Sequence, residues 1–137
     1  MSTGLGARLG RLIGAGLLLA VLVLGWASPA PAGPVDWQEL PASGEGRQWW
    51  DAGSLRRNRE GNLTVLSRFQ PAATEAKQPA SSLYVMEIDC GQNLFRDTSI
   101  NGFRQWNSSW QPAGADGLID ATIAAVCAAG ADLLAGS

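Results

Sequence analysis

The sequence predicts an α+β fold: an antiparallel sheet of four or five strands, covered by one C-terminal helix and tied to it by a disulfide. Three observations carry this expectation. Apolar residues alternate over Leu63–Phe69 and Leu83–Cys90, the pattern of half-buried strands. An apolar stretch of helix formers follows Asp116, which is placed to cap it. Two cysteines, Cys90 and Cys127, sit in a chain whose N-terminus has the layout of an export signal, so a bond between them suits the compartment.

That signal layout begins with Arg8 and Arg11 and no acid, continues through the uncharged run Leu12–Trp26, and ends in Ala30-Pro31-Ala32. A basic segment, a short apolar segment and small residues at the end predict cleavage between Ala32 and Gly33. The alternative is a retained anchor. A span needs about 20 apolar residues, and here the apolar run stops short of Pro29 and Pro31. The expected organisation is therefore a signal peptide over 1–32, one small domain over 33–130, and a frayed tail over 131–137. With Arg8 and Arg11 removed from ten basic residues, eight remain against twelve acids, a formal charge of −4. An acidic domain argues against nucleic acid as a partner, and the membrane is met only through the signal.

Within the mature chain, Val35–Leu40 is a short strand-like piece containing Trp37. Ser43-Gly44-Glu45-Gly46 is a loop. Trp49 and Trp50 lie in a strand that ends at Asp51-Ala52-Gly53-Ser54, a turn whose Asp can bond the backbone two residues on. Arg56–Asn62 is a polar hairpin tip with Gly61 available for positive φ. In the next strand Leu63, Val65, Ser67 and Phe69 share a face. Pro71–Ser82 is an exposed connection. Over Leu83–Cys90, Tyr84, Met86, Ile88 and Cys90 share one face and Leu83, Val85, Glu87 and Asp89 the other, which the acids mark as solvent-facing. Gly91-Gln92-Asn93 turns the chain into a further strand, Leu94–Ile100. Asn101–Pro112 is irregular and aromatic.

The helix is expected over Leu118–Ala129, with Gly130 as its C′ residue. Ile119, Ile123 and Cys127 are spaced i, i+4, i+8 on its apolar stripe. Strand parity and helix periodicity thus turn both cysteines toward one core, and a disulfide closing this loop contributes roughly 4 kcal/mol at most.

The string Trp49-Trp50-Asp51-Ala52-Gly53-Ser54-Leu55-Arg56-Arg57, then Gly61-Asn62 and a hydrophobic strand, resembles the surface-adhesin protein E family. So does Glu87-Ile88-Asp89-Cys90 followed by Leu94-Phe95-Arg96, with a second cysteine in a C-terminal helix. The resemblance covers roughly residues 37–127 and implies an antiparallel sheet with a C-terminal helix held by a disulfide. Trp49 and Trp50 stand where a Tyr-rich pair is usual in that family.

Composition limits the chemistry. With no histidine, and Lys77 as the sole lysine, no Ser/His/Asp or Cys/His nucleophile can be assembled. Two cysteines without histidine make no closed zinc site, and no metal, cofactor or catalytic residue is expected. Glu87 and Asp89 put two carboxylates on one strand face, as an acid/base pair or cation site would, but the plainer reading is a solvated face. Arg56, Arg57 and Arg59 form the one positive cluster, a solvated turn or an anion contact. Of the five mature tryptophans, Trp37, Trp49 or Trp50, and Trp110 are expected in the core and Trp106 at the surface. Arg56, Arg57, Arg59 and Trp106 are therefore the candidate interaction residues. The leading expectation is an exported, non-enzymatic surface-interaction module whose partner is a protein, polysaccharide or envelope component, with sheet edges open to homodimer pairing. The alternatives are an accessory subunit of an extracytoplasmic membrane complex and a small carboxylate hydrolase, the latter requiring a concave pocket at Glu87 or Asp89.

Overall fold

The computed structural model describes residues 33–74 and 79–136. The expected signal and Lys77 lie outside the described residues. An antiparallel sheet carries eight strands among them: β1 (Trp37–Glu39), β2 (Gly46–Asp51), β3 (Arg56–Arg57), β4 (Leu63–Pro71), β5 (Ser82–Asp89), β6 (Leu94–Ile100), β7 (Phe103–Arg104) and β8 (Gln111–Pro112). Their order is β1-β2-β4-β5-β6-β7, with β3 added to β4 and β8 to β6. Helices α1 (Gly117–Ala129) and α2 (Ala131–Ala135) follow.

The expected four or five strands become eight because β3, β7 and β8 are two-residue pairings. A run that short has no period to read. Where a frayed tail was expected, α2 places Leu134 against the core.

The sheet has one face under α1. Leu63, Val65, Trp50, Met86, Ile88 and Phe95 from the sheet meet Ile123 and Val126 from the helix, all buried. Asp116 caps α1, its Oδ1 accepting from the Leu118 and Ile119 N–H groups at 3.1 Å each. The Cys90–Cys127 disulfide joins the end of β5 to the last turn of α1, with Cα atoms 5.8 Å apart. Gly130 does close the helix, but at φ −91° rather than in the left-handed region. Its lack of a side chain serves packing: a Cβ there would overlap the Leu63 methyls.

The turn after β2 forms as its sequence dictates. Asp51 Oδ1 accepts from the N–H groups of Gly53 (2.9 Å) and Asp36 (2.7 Å). Ser54 Oγ donates to the Asp51 carbonyl (2.8 Å) and accepts from the Leu66 N–H (2.9 Å), joining the turn to β4. This Asp-x-x-Ser segment is an architectural latch, since its polar atoms are committed to backbone. Gly61 takes φ +86° at the hairpin tip.

The other sheet face is not bare. Trp49 is 7% exposed although it points away from α1. Two guanidinium groups lie over its ring, Arg68 at 4.1 Å and Arg47 at 4.7 Å, and Arg68 also covers Trp37 at 5.6 Å. Trp50, on the opposite parity, joins the core.

Candidate functional site

Along the inner face the apolar rows give way to polar ones at the end away from the disulfide. Register places Ser67 opposite Tyr84 and Met86 opposite Asp97, with Gln48 opposite Phe69 on the neighbouring strand pair. Directly paired residues share a face, so Gln48, Ser67, Tyr84 and Asp97 all point toward the side that α1 covers. They line a cavity of about 270 Å³ at the N-terminal end of that helix. Gln111 and Asp116 complete its polar lining, and Phe69, Met86, Phe95 and Leu118 supply the apolar walls.

A bulge shapes this end of β6. Val85 pairs with Ser99 but Met86 with Asp97, so Thr98 is the extra residue and its hydroxyl donates to the Val85 carbonyl at 3.2 Å. The shift in phase puts both Asp97 and Ile100 on the inner face, where simple alternation would have placed Ser99.

One polar group of the cavity is left unsatisfied. Ser67 is 1% exposed and its Oγ has no hydrogen-bond partner. Gln48 is 2% exposed. Burial pushes the Asp97 carboxyl up to about 6 from an ordinary 3.8, since a carboxylate loses hydration there.

The aromatic loop forms the rim. A second concavity of about 330 Å³ shares Asp97 and Gln111 with the first and is lined by Ile100, Gln105 and Trp106. Trp106 is 73% exposed, as the sequence predicts, with the Arg104 guanidinium 4.3 Å from its ring. Phe103, on β7, is 76% exposed. Trp110 is half-buried beneath Arg96 at 4.6 Å.

Arg56, Arg57 and Arg59 are all exposed. Arg56 and Arg57 pair with Thr64 and Leu63 at the far end of β4, whereas Trp106 follows the β6–β7 turn beside Asp97. The structure therefore does not bring the arginine cluster and Trp106 together.

Glu87 corrects the expectation of a solvated acidic face. It is 4% exposed. The hairpin tip folds across it, so that Asn58 and Asn62 donate to Oε2 at 2.8 and 2.9 Å, while Arg96 Nη2 and Nε reach Oε1 at 2.8 and 2.9 Å. Burial by itself would raise this carboxyl, but the hydrogen bonds from Asn62, Arg96 and Asn58, with the Arg96 charge, outweigh it and hold it below 4.5. Asp89 binds the Gln92 N–H and side chain in the following turn. Neither acid lines the two concavities described; Asp97 lines both.

Sequence reasoning missed Asp97 because Leu94–Ile100 has no clean alternation, and the Thr98 bulge changes the facing of its second half. The available signal was Ser67, a polar residue on the apolar parity of β4.

A surface adhesin-E family model matches residues 38–133. The chain belongs to the surface adhesin-E family. The match runs from β1 into α2 and so takes in the sheet, the aromatic loop and both half-cystines of this adhesin-E domain. No curated protein and no solved structure matches the chain. Family and disulfide together fit an extracytoplasmic protein. Among the described residues, no helix is long and apolar enough to cross a membrane, and no group of three or more His, Cys, Asp or Glu side chains is arranged to hold a metal.

Proposed function

We propose that this adhesin-E domain is exported by its N-terminal segment, cut near Ala32, and acts outside the cytoplasm as a non-enzymatic binding module. Its contact surface is the aromatic rim of β7 and the following loop. The observation that carries this reading is the exposure of Phe103 and Trp106, 76% and 73%, in a domain that buries Trp49 and Trp50 almost completely. Aromatic side chains left in water beside a concavity are the usual anchors of an interface, because they bury much area at small entropic cost. The exposed Arg56, Arg57 and Arg59 cluster, at the other end of β4, is a separate electrostatic contact for an anionic partner.

A photoreactive residue placed at position 106 of the full-length protein in its native envelope tests the reading, with position 42, in the exposed β1–β2 loop, as the control. The expected result is a discrete adduct from position 106 and none from position 42. The same adducts from both positions, or none from 106, would overturn it.

A further inference from the structure

We infer that the inner-face cavity beneath the α1 N-terminus binds a small organic ammonium ligand, with the cationic head on Asp97 and the apolar body against Phe69, Met86 and Leu118. This goes beyond the rim contact proposed above and rests on different atoms.

The sign of the ligand follows from the lining. Asp97 and Asp116 both line the cavity, no lysine or arginine among the described residues does, and the remaining polar groups are the Gln48 and Gln111 amides and the Ser67 and Tyr84 hydroxyls. Arg96, the basic neighbour in sequence, is committed to Glu87 and Trp110 on the opposite sheet face. The Leu118 and Ile119 N–H groups at the start of α1 are taken by the Asp116 carboxylate rather than left open to an anion. Ser67 Oγ supplies the second observation: a buried hydroxyl without a partner is costly to maintain, and an ammonium or neighbouring donor on a ligand would satisfy it. An ammonium beside Asp97 would also offset the desolvation of that carboxylate. Phe69, Phe95 and Tyr84 are the aromatic residues of the lining, a residue type that suits a cation. A volume of about 270 Å³ lies just below the range of drug-sized ligand sites, which favours a single ring with a short amine arm over a polymer.

Benzylamine, benzyl alcohol and phenylacetate have nearly the same shape and differ in charge. Titrated into the oxidised mature protein and followed by amide chemical shifts, benzylamine is expected to saturate and to perturb Ser67, Tyr84, Asp97 and Leu118. Benzyl alcohol and phenylacetate should bind at least tenfold more weakly. Asp97→Asn should weaken benzylamine about tenfold. So should moving the wild type from pH 7.5 to pH 5, across the Asp97 transition, while the amine stays protonated. The titratable groups facing Asp97 in the cavity are Tyr84 from β5 and Asp116 from the helix cap; the loop and β8 contribute the uncharged Gln105, Trp106 and Gln111. If Asp97→Asn does not fold, the pH pair and the neutral isostere decide. Equal affinity for phenylacetate or benzyl alcohol, unchanged affinity in Asp97→Asn, shifts confined to other surfaces, or no saturation at millimolar concentration would each overturn the assignment.

Discussion

At the scale of single residues, the two informative carboxyls are held in opposite ways. Glu87 is buried with four donor contacts. Its folded state titrates below 4.5, so its stabilisation is complete above that value and is lost as pH falls through the folded pKa. Glu87→Ala leaves Arg96, Asn58 and Asn62 without their acceptor. The expected loss is about 2–4 kcal/mol at pH 7, measured by urea unfolding. Asp97 is the reverse. Its folded pKa is raised to about 6 by burial, so the native state holds the proton longer than the unfolded chain, and stability falls as pH rises from about 4 through 6. Asp97→Asn removes that cost. The variant should be more stable than wild type by about 1 kcal/mol at pH 7.5, a value reduced from the full shift because the carboxyl is partly exposed, and the gain should vanish near pH 4. A thermal-unfolding series across pH checks both signs.

At the scale of elements, α1 is held at its two ends by different means. The N-terminal end rests on the Asp116 cap and the C-terminal end on the disulfide. Replacing both cysteines by alanine should lower stability by up to about 4 kcal/mol. Intact mass before and after reduction, followed by thiol alkylation, confirms the pairing in wild type, and two free thiols in the exported protein would contradict it. Gly130 is a separate test of packing. Its φ of −91° is open to any residue, so Gly130→Ala costs through overlap with the Leu63 methyls and a tight approach to the Val126 carbonyl oxygen, about 1–3 kcal/mol. Unchanged stability would show that Leu63 can move aside. Among the strands, alternation made β4 and β5 legible because each runs long enough for parity to show. It failed for β3, β7 and β8, whose pairing is decided by where the long strands leave open backbone groups.

At the scale of the whole molecule, one sheet carries two unlike surfaces. The inner face is apolar beneath α1 and polar beyond it, and the outer face is closed by arginine–indole stacking and by the hairpin tip over Glu87. Trp106 belongs to neither core. Trp106→Ala should therefore leave stability within about 0.5 kcal/mol of wild type while abolishing the retention in the envelope fraction that the proposed rim contact predicts, and a large drop in melting temperature would show a structural role instead. By itself the sequence determined the α+β class with its antiparallel sheet and C-terminal helix, though not the number of strands, together with the parities of β4 and β5, the Asp51 turn, the Asp116 cap, the cysteine pairing and the exposure of Trp106. Each of these depends on residues near one another in the chain or on a period that a single element displays. Only the tertiary structure decided that Glu87 is covered, that the arginine cluster and Trp106 lie apart, and that Asp97 shares a cavity with Ser67. The reason is physical: burial of a polar side chain depends on which distant segment crosses it, and a one-residue bulge reverses the facing of a strand without leaving a mark in its composition.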